Sequence, residues 1–166
     1  VMLLEEHMDF DRDFRGDTVH PSVMDILDEI GLADRLLQIE HTRIQGIPVQ
    51  TARGTIMLAD LRPLKTRFNY IAMIPQVRFL EFITGEAKRY PNFTLVRGAR
   101  VEKLIEEDGY VHGVQYRGRD GWHEVRATLT VGADGRFSRL RKLAGFEPVK
   151  TAPPMDVLWF RLPRRQ

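Results

Sequence analysis

The 166-residue sequence predicts an α/β fold with an inserted β-meander, on three observations. A short apolar run, Val1-Met2-Leu3-Leu4, breaks at Glu5-Glu6-His7, the pattern of a strand buried on both faces and emerging at its carboxyl end. Segments of helical period, around residues 22–30 and 76–90, alternate with further apolar runs. Residues 93–126 break into four strand-like runs separated by glycine turns.

The elements follow in order. After a polar loop over residues 8–21, Ser22 is expected to cap a helix, with Asp25 completing a capping box and Val23, Ile26, Leu27 and Ile30 on the buried face until Gly31 stops it. A shorter helix is expected over residues 33–38. Period-two alternation over residues 42–60, with Ala52-Arg53-Gly54 as the turn, predicts a hairpin. Residues 70–73 are predicted as a strand. Residues 76–90 follow as a helix that turns Phe79, Leu80, Ile83 and Ala87 inward and closes at Pro91-Asn92. The meander is expected to comprise residues 93–96, 101–106, 111–116 and 122–126. Residues 129–131 then predict a buried strand entering Gly132-Ala133-Asp134-Gly135, and residues 139–144 a helix ended by Gly145. Residues 156–162 are predicted as a last strand.

Composition narrows the chemistry. With 43% hydrophobic and 29% charged residues the chain is ordinary globular protein, long enough for one domain and the start of another. Without cysteine it has no disulfide, thiolate metal site, iron–sulfur cluster or cysteine nucleophile. No apolar run reaches the ~18 residues of a membrane span and no basic-then-apolar leader opens the chain; a cytoplasmic protein is expected. Residues 1–40 carry a net charge of −8, against +10 for the remainder. Two unlike solvated surfaces and a basic surface awaiting phosphate or an acidic partner both account for that. No nucleic-acid partner is expected, because the arginines are scattered without aromatic interleaving or a DNA-reading motif. No metal is expected either: the five histidines show no ligand spacing. Neither GxSxG nor GxxxxGK[ST] occurs, which disfavours serine hydrolases and P-loop enzymes.

Three constellations stand out. Glu5 at a strand end suits a ribose diol, whose vicinal hydroxyls two carboxylate oxygens can accept; many buried strands nonetheless end in an acid for no such reason. In Asp13-Phe14-Arg15-Gly16-Asp17-Thr18, Arg15 suits a pyrophosphate or aromatic ring, and a loop salt bridge among Arg12, Arg15 and the neighbouring aspartates is the plain alternative. Val131-Gly132-Ala133-Asp134-Gly135-Arg136 puts a carboxylate and backbone N–H groups at the carboxyl end of a strand, where α/β folds bind ligands; a plain Asp-Gly turn is the alternative.

Taken together, EEHMDFDRDFRGDTVHPS from Glu5 to Ser22, Ile74-Pro75-Gln76, TVGADGRFSRLR from Thr130 to Arg141, and PMDVLWFRLP from Pro154 to Pro163 resemble the FAD-dependent aromatic hydroxylases. These are the class A flavoprotein monooxygenases related to para-hydroxybenzoate hydroxylase. The resemblance covers essentially the whole chain and implies a partial Rossmann-like FAD-binding domain over residues 1–150, with residues 151–166 opening a substrate-binding domain as the first strand of its sheet. By resemblance Glu5 is the ribose-binding acid, with Glu6 the fallback one residue on. Arg15 lies along the flavin and pyrophosphate, Gln76 hydrogen-bonds the cofactor, the Val101 backbone meets the adenine edge, and Asp134 and Gly135 serve the FAD pyrophosphate and NAD(P)H.

The implied activity is an NAD(P)H-dependent monooxygenase that hydroxylates an aromatic or similar small organic substrate through a flavin hydroperoxide. No catalytic acid or base is assigned. A flavin-dependent dehydrogenase or epoxidase, and a non-catalytic module that kept the fold and lost the cofactor, are the alternatives. The sequence departs from the family in having no GxGxxG loop. That departure, and a first residue that reads as strand interior, imply an internal segment of a larger flavoprotein, expected to bind FAD weakly or not at all alone.

Overall fold

The structure, a computed structural model, describes residues 1–11 and 17–149. In chain order its elements are β1 (Met2–Glu5), β2 (Thr18–Val19), α1 (Pro21–Glu29), α2 (Ala33–Leu36), β3 (Thr42–Ile44), β4 (Gly46–Thr51), β5 (Gly54–Asp60), β6 (Ile71–Met73), α3 (Gln76–Ala87), β7 (Thr94–Arg97), β8 (Arg100–Glu107), β9 (Tyr110–Gly118), β10 (Gly121–Arg126) and α4 (Arg139–Leu143). The described residues form two units, one of residues 1–9 and 87–149 and the other of 10–11 and 17–86.

In the first unit β1 and β7 pair in parallel, from Met2 opposite Thr94 to Glu5 opposite Arg97. This changes the expected meander, which has three strands in the order β10-β9-β8 rather than four. The residues predicted as its first strand are a strand, but their ladder partner is β1, whose N–H and C=O groups must also be met. β1 itself is less covered than expected: Met2 and Leu3 are exposed, because among the described residues it pairs along one edge only. The buried strand predicted at residues 129–131 does not form. Leu129 and Val131 are 76% and 74% exposed, since the short Leu129-Thr130-Val131 segment finds no ladder partner among the described residues and leaves its backbone to water. α4 forms where predicted, with Ser138 as its N-cap and Gly145 just past its end.

The second unit packs α1, α2 and α3 with the sheet β2-β6-β3. Its core is Val19, Met24, Leu27, Ala33, Leu36, Phe68, Tyr70, Ala72 and Ile74, with Phe79, Phe82 and Ile83 of α3 against it. α1 starts earlier than predicted: His20 is the N-cap and Pro21 opens the helix, where the missing N–H costs nothing and φ is preset. Ser22 is therefore inside the helix, and Asp25 accepts a hydrogen bond from the Thr66 hydroxyl instead of closing a capping box. The buried face is also corrected. Met24 and Leu27 are buried while Val23, Ile26 and Ile30 are exposed, because Leu27 belongs to two apolar stripes and packing against α2 and Phe68 selects the one through Met24.

Residues 42–60 divide between two sheets. β3 pairs with β6, and the hairpin is β4–β5 alone, with a register shift at Ile47/Pro48 where proline has no N–H to give the ladder. The hairpin exposes Ile56, Met57 and Leu58. α3 ends at Ala87, three residues before its predicted close. The segments predicted over residues 12–16 and 150–166, including the strand at 156–162, lie outside the described residues. Among the described residues no helix is long and apolar enough to cross a membrane.

Acids from the first forty residues meet arginines from later in the chain. Glu6 pairs with Arg100, while Arg67 reaches Asp28 at 2.9 Å and also Asp34. The charge asymmetry is thus partly internal pairing between exposed groups, which water and salt screen to a weak interaction.

Candidate functional site

The carboxyl ends of β1 and β7 lie side by side, because the parallel register brings Glu5 opposite Arg97. In open α/β sheets this end of the strands is where ligands bind. The two chains leaving it are stitched together: the Ala99 N–H donates to the Glu5 carbonyl at 2.9 Å, and the Gly98 N–H to the His7 carbonyl at 3.1 Å. Gly98 has φ +70°, a left-handed backbone that favours glycine, and the Met8 side chain packs against its open face.

The half-buried carboxylate of Glu5 accepts two hydrogen bonds from His7 on Oε1, from the backbone N–H at 2.8 Å and from ring Nδ1 at 3.0 Å. Glu6, beyond the strand end, lies 3.1 Å from Nε of Arg100. Arg100 is 3.3 Å from Glu102, which also holds Arg139, the first residue of α4. A chain of ion pairs therefore runs from the end of β1 across β8 to the N-terminus of α4. Val101 stands within it on β8, opposite Tyr116.

Asp134 closes that helix terminus. Its carboxylate accepts the Ser138 hydroxyl and the N–H groups of Arg139 at 2.6 Å and Leu140 at 3.0 Å, satisfying two donors the helix cannot pair internally. Partial burial pushes the Asp134 carboxyl up, but the Ser138, Leu140 and Arg139 hydrogen bonds outweigh it and hold the group below its ordinary value of 3.8. Gly135, next in the chain, gives its carbonyl to the Ser138 N–H at 3.1 Å.

The lowered pKa fixes a pH dependence. A carboxyl depressed in the folded state stabilises fully above its unfolded value, and that contribution disappears as pH falls below 3.8 through the folded value. Asp134→Ala should therefore cost about 1 kcal/mol at neutral pH, the usual worth of a helix cap. The gap in unfolding midpoint between wild type and variant should close in acid. A gap unchanged at pH 3 would show that the carboxylate is not the stabilising group.

In the second unit Gln76 opens α3. Its backbone N–H donates to the carboxylate of Asp17 at 3.0 Å, and the Ile74 N–H donates to the Asp17 carbonyl at 2.9 Å. Asp17 was not among the predicted site residues. Its partner is 59 residues away, and the local signal was only its place in the Arg15-Gly16-Asp17 run. Arg15 lies outside the described residues. The structure therefore gathers Glu5, Glu6, Val101, Asp134 and Gly135 within one unit, and describes Gln76 with Asp17 in the other. Among the described residues no group of three His, Asp or Glu converges as a metal site.

Comparison with known proteins gives a consistent picture. The sequence matches the FAD binding domain family over residues 1–162. A 6-methylpretetramide 4-monooxygenase of Streptomyces rimosus is 32% identical over 164 residues, covering 98% of this chain and 39% of that protein. The solved structure of an anhydrotetracycline hydroxylase, also from Streptomyces rimosus, superposes with a TM-score of 0.72 at 31% identity, over 87% of this chain and 28% of that one. A p-nitrophenol 4-monooxygenase from Pseudomonas putida shares the fold, with a TM-score of 0.73 at 22% identity over 87% of this chain and 37% of that one. The chain spans about two-fifths or less of the length of these proteins.

Proposed function

The chain belongs to the FAD binding domain family, and from that premise we propose that the protein is an NAD(P)H-dependent monooxygenase that hydroxylates a small aromatic substrate with FAD as its bound cofactor. One observation carries the reading: the match to a relative named as a monooxygenase extends over 98% of the chain. Support for the cofactor comes from the end of β1, where a half-buried, oriented carboxylate beside a glycine turn suits the diol and close backbone approach of a dinucleotide. Bound FAD would supply electron transfer from NAD(P)H and the activation of dioxygen, chemistry that belongs to the cofactor.

The chain's own work is binding and orientation. In this proposal Glu5 accepts the ribose hydroxyls, with Glu6 drawn aside by Arg100, and the backbone at Val101 meets the adenine. Asp134 holds the shape of its loop through the α4 cap, so that Gly135 presents backbone to the pyrophosphate and NAD(P)H. Gln76, its backbone held by Asp17, hydrogen-bonds the cofactor, and Arg15 lies along it. Residues 1–150 form the FAD-binding part, and residues 151–166 open the substrate-binding part. A cytoplasmic location completes the proposal, since NAD(P)H is regenerated there.

The test is a turnover experiment on the complete protein with FAD, NADH or NADPH, isotopically labelled dioxygen and a panel of aromatic compounds. One labelled oxygen atom in the product is the expected result. Nicotinamide consumption that yields only peroxide favours the dehydrogenase reading. A complete protein that retains no flavin favours the non-catalytic module.

A further inference from the structure

We propose that His7 is a positioning residue for the cofactor: it fixes the Glu5 carboxylate in the orientation that receives the adenosine ribose of FAD. This rests on the reading of Glu5 as the ribose-binding acid and adds a residue to it.

Both bonds from His7 fall on one oxygen, Oε1, at 2.8 Å from the backbone N–H and 3.0 Å from Nδ1. Two donors on one oxygen, arriving from a backbone and a ring, restrict rotation of the carboxylate about its last torsion as well as its position. His7 is itself held, because its carbonyl accepts the Gly98 N–H and the preceding Glu5 carbonyl accepts the Ala99 N–H. The turn after β7 thus clamps the backbone on both sides of the histidine's bonds, and the geometry is built before any ligand arrives.

The chemistry requires such orientation. A carboxylate is acceptor-only, and a vicinal diol offers two O–H donors at fixed spacing, so the carboxylate plane must face the diol. A glutamate side chain free to rotate loses entropy on binding, whereas one already pinned loses less, which is the advantage of preorganisation. Nδ1 donates both in the imidazolium and in the neutral tautomer protonated there, so either form of the ring can make the bond. The His7 side chain is 57% exposed, so water competes for the carboxylate and the effect is several-fold rather than total.

The test is titration of the flavin-stripped complete protein with FAD and with FMN, which lacks the adenosine. His7→Ala should raise the Kd for FAD about fivefold while changing that for FMN less than about twofold, the scale of one partly exposed hydrogen bond to a charged group. His7→Asn, whose side-chain amide places a donor near the Nδ1 position, should recover most of the loss. Glu5→Gln tests the underlying reading separately. If Glu5→Gln weakens FAD and His7→Ala does not, His7 does not position the acid and the proposal falls alone. Unchanged FAD binding in Glu5→Gln removes the ribose role of Glu5 and the proposal with it. Equal weakening of FAD and FMN in His7→Ala would mark a general structural loss and also overturn it.

Discussion

Gly113→Ala should destabilise the protein by about 3 kcal/mol or more, because the substitution combines overpacking with a left-handed backbone that alanine rarely adopts. Gly113 lies in β9 between Arg126 of β10 and Ile105 of β8, where the β8–β9 register shifts. Its φ is +147°, and an added Cβ would lie 2.0 Å from the Val125 carbonyl oxygen and 2.9 Å from the Arg126 Cα. Both are backbone atoms of the neighbouring strand, so no rotamer change relieves the clash and β10 must move away. Denaturant unfolding of the variant checks this, and a loss under about 1 kcal/mol would mean the strands part at little cost. The same measurement on Gly109→Ala is a control: that glycine also has positive φ, at +80°, but a Cβ there meets nothing within 4 Å, so strain acts without the clash.

Phe68→Ala should cost about 3–5 kcal/mol, the range for deleting a buried aromatic and leaving a cavity. Phe68 is 1% exposed, meets Tyr70 edge to face at a centroid distance of 6.4 Å, and shares a core with Met24, Leu36 and Ile74. Phe68→Leu keeps most of the volume and should cost less than half as much, about 1.5 kcal/mol. The loss reaches the start of α3, since Ile74, fully buried in this core, leads through Pro75 into Gln76 and the Asp17 bonds. Chemical denaturation gives both numbers, and equal losses in the two variants would show that the ring's volume is not what the core needs.

These positions differ in how openly the sequence announces them. Local signals carry well: the turn at Ala52-Arg53, the helix from Gln76 and the short α4 before Gly145 follow from neighbours in the chain. Pairing does not. β7 looks like a meander strand because its residues specify extended backbone but no partner, and its partner β1 is some ninety residues away. α1 shows the same limit on a helix. Two apolar stripes share Leu27, and only Phe68 and α2 decide between them.

At the candidate site, the acids at Glu5 and Asp134 are legible as residue types at strand and loop ends. What they bond to is less so. The two His7 bonds are local in sequence but require the backbone to fold back on itself, while Asp17 reaches Gln76 across 59 residues and the Glu6–Arg100–Glu102–Arg139 chain joins three elements. Sequence patterns locate the groups that could contact a cofactor, and tertiary contacts determine which are held still.

The β4–β5 hairpin has a practical consequence for anyone handling the protein. Among the described residues it is a two-stranded ribbon with apolar side chains in water, and Leu58 alone is 70% exposed. Such ribbons gain from being covered, and salts excluded from protein surfaces strengthen that tendency. Sulfate and phosphate buffers are therefore expected to favour self-association of this chain, which light scattering across a sulfate series would register as a rising mass.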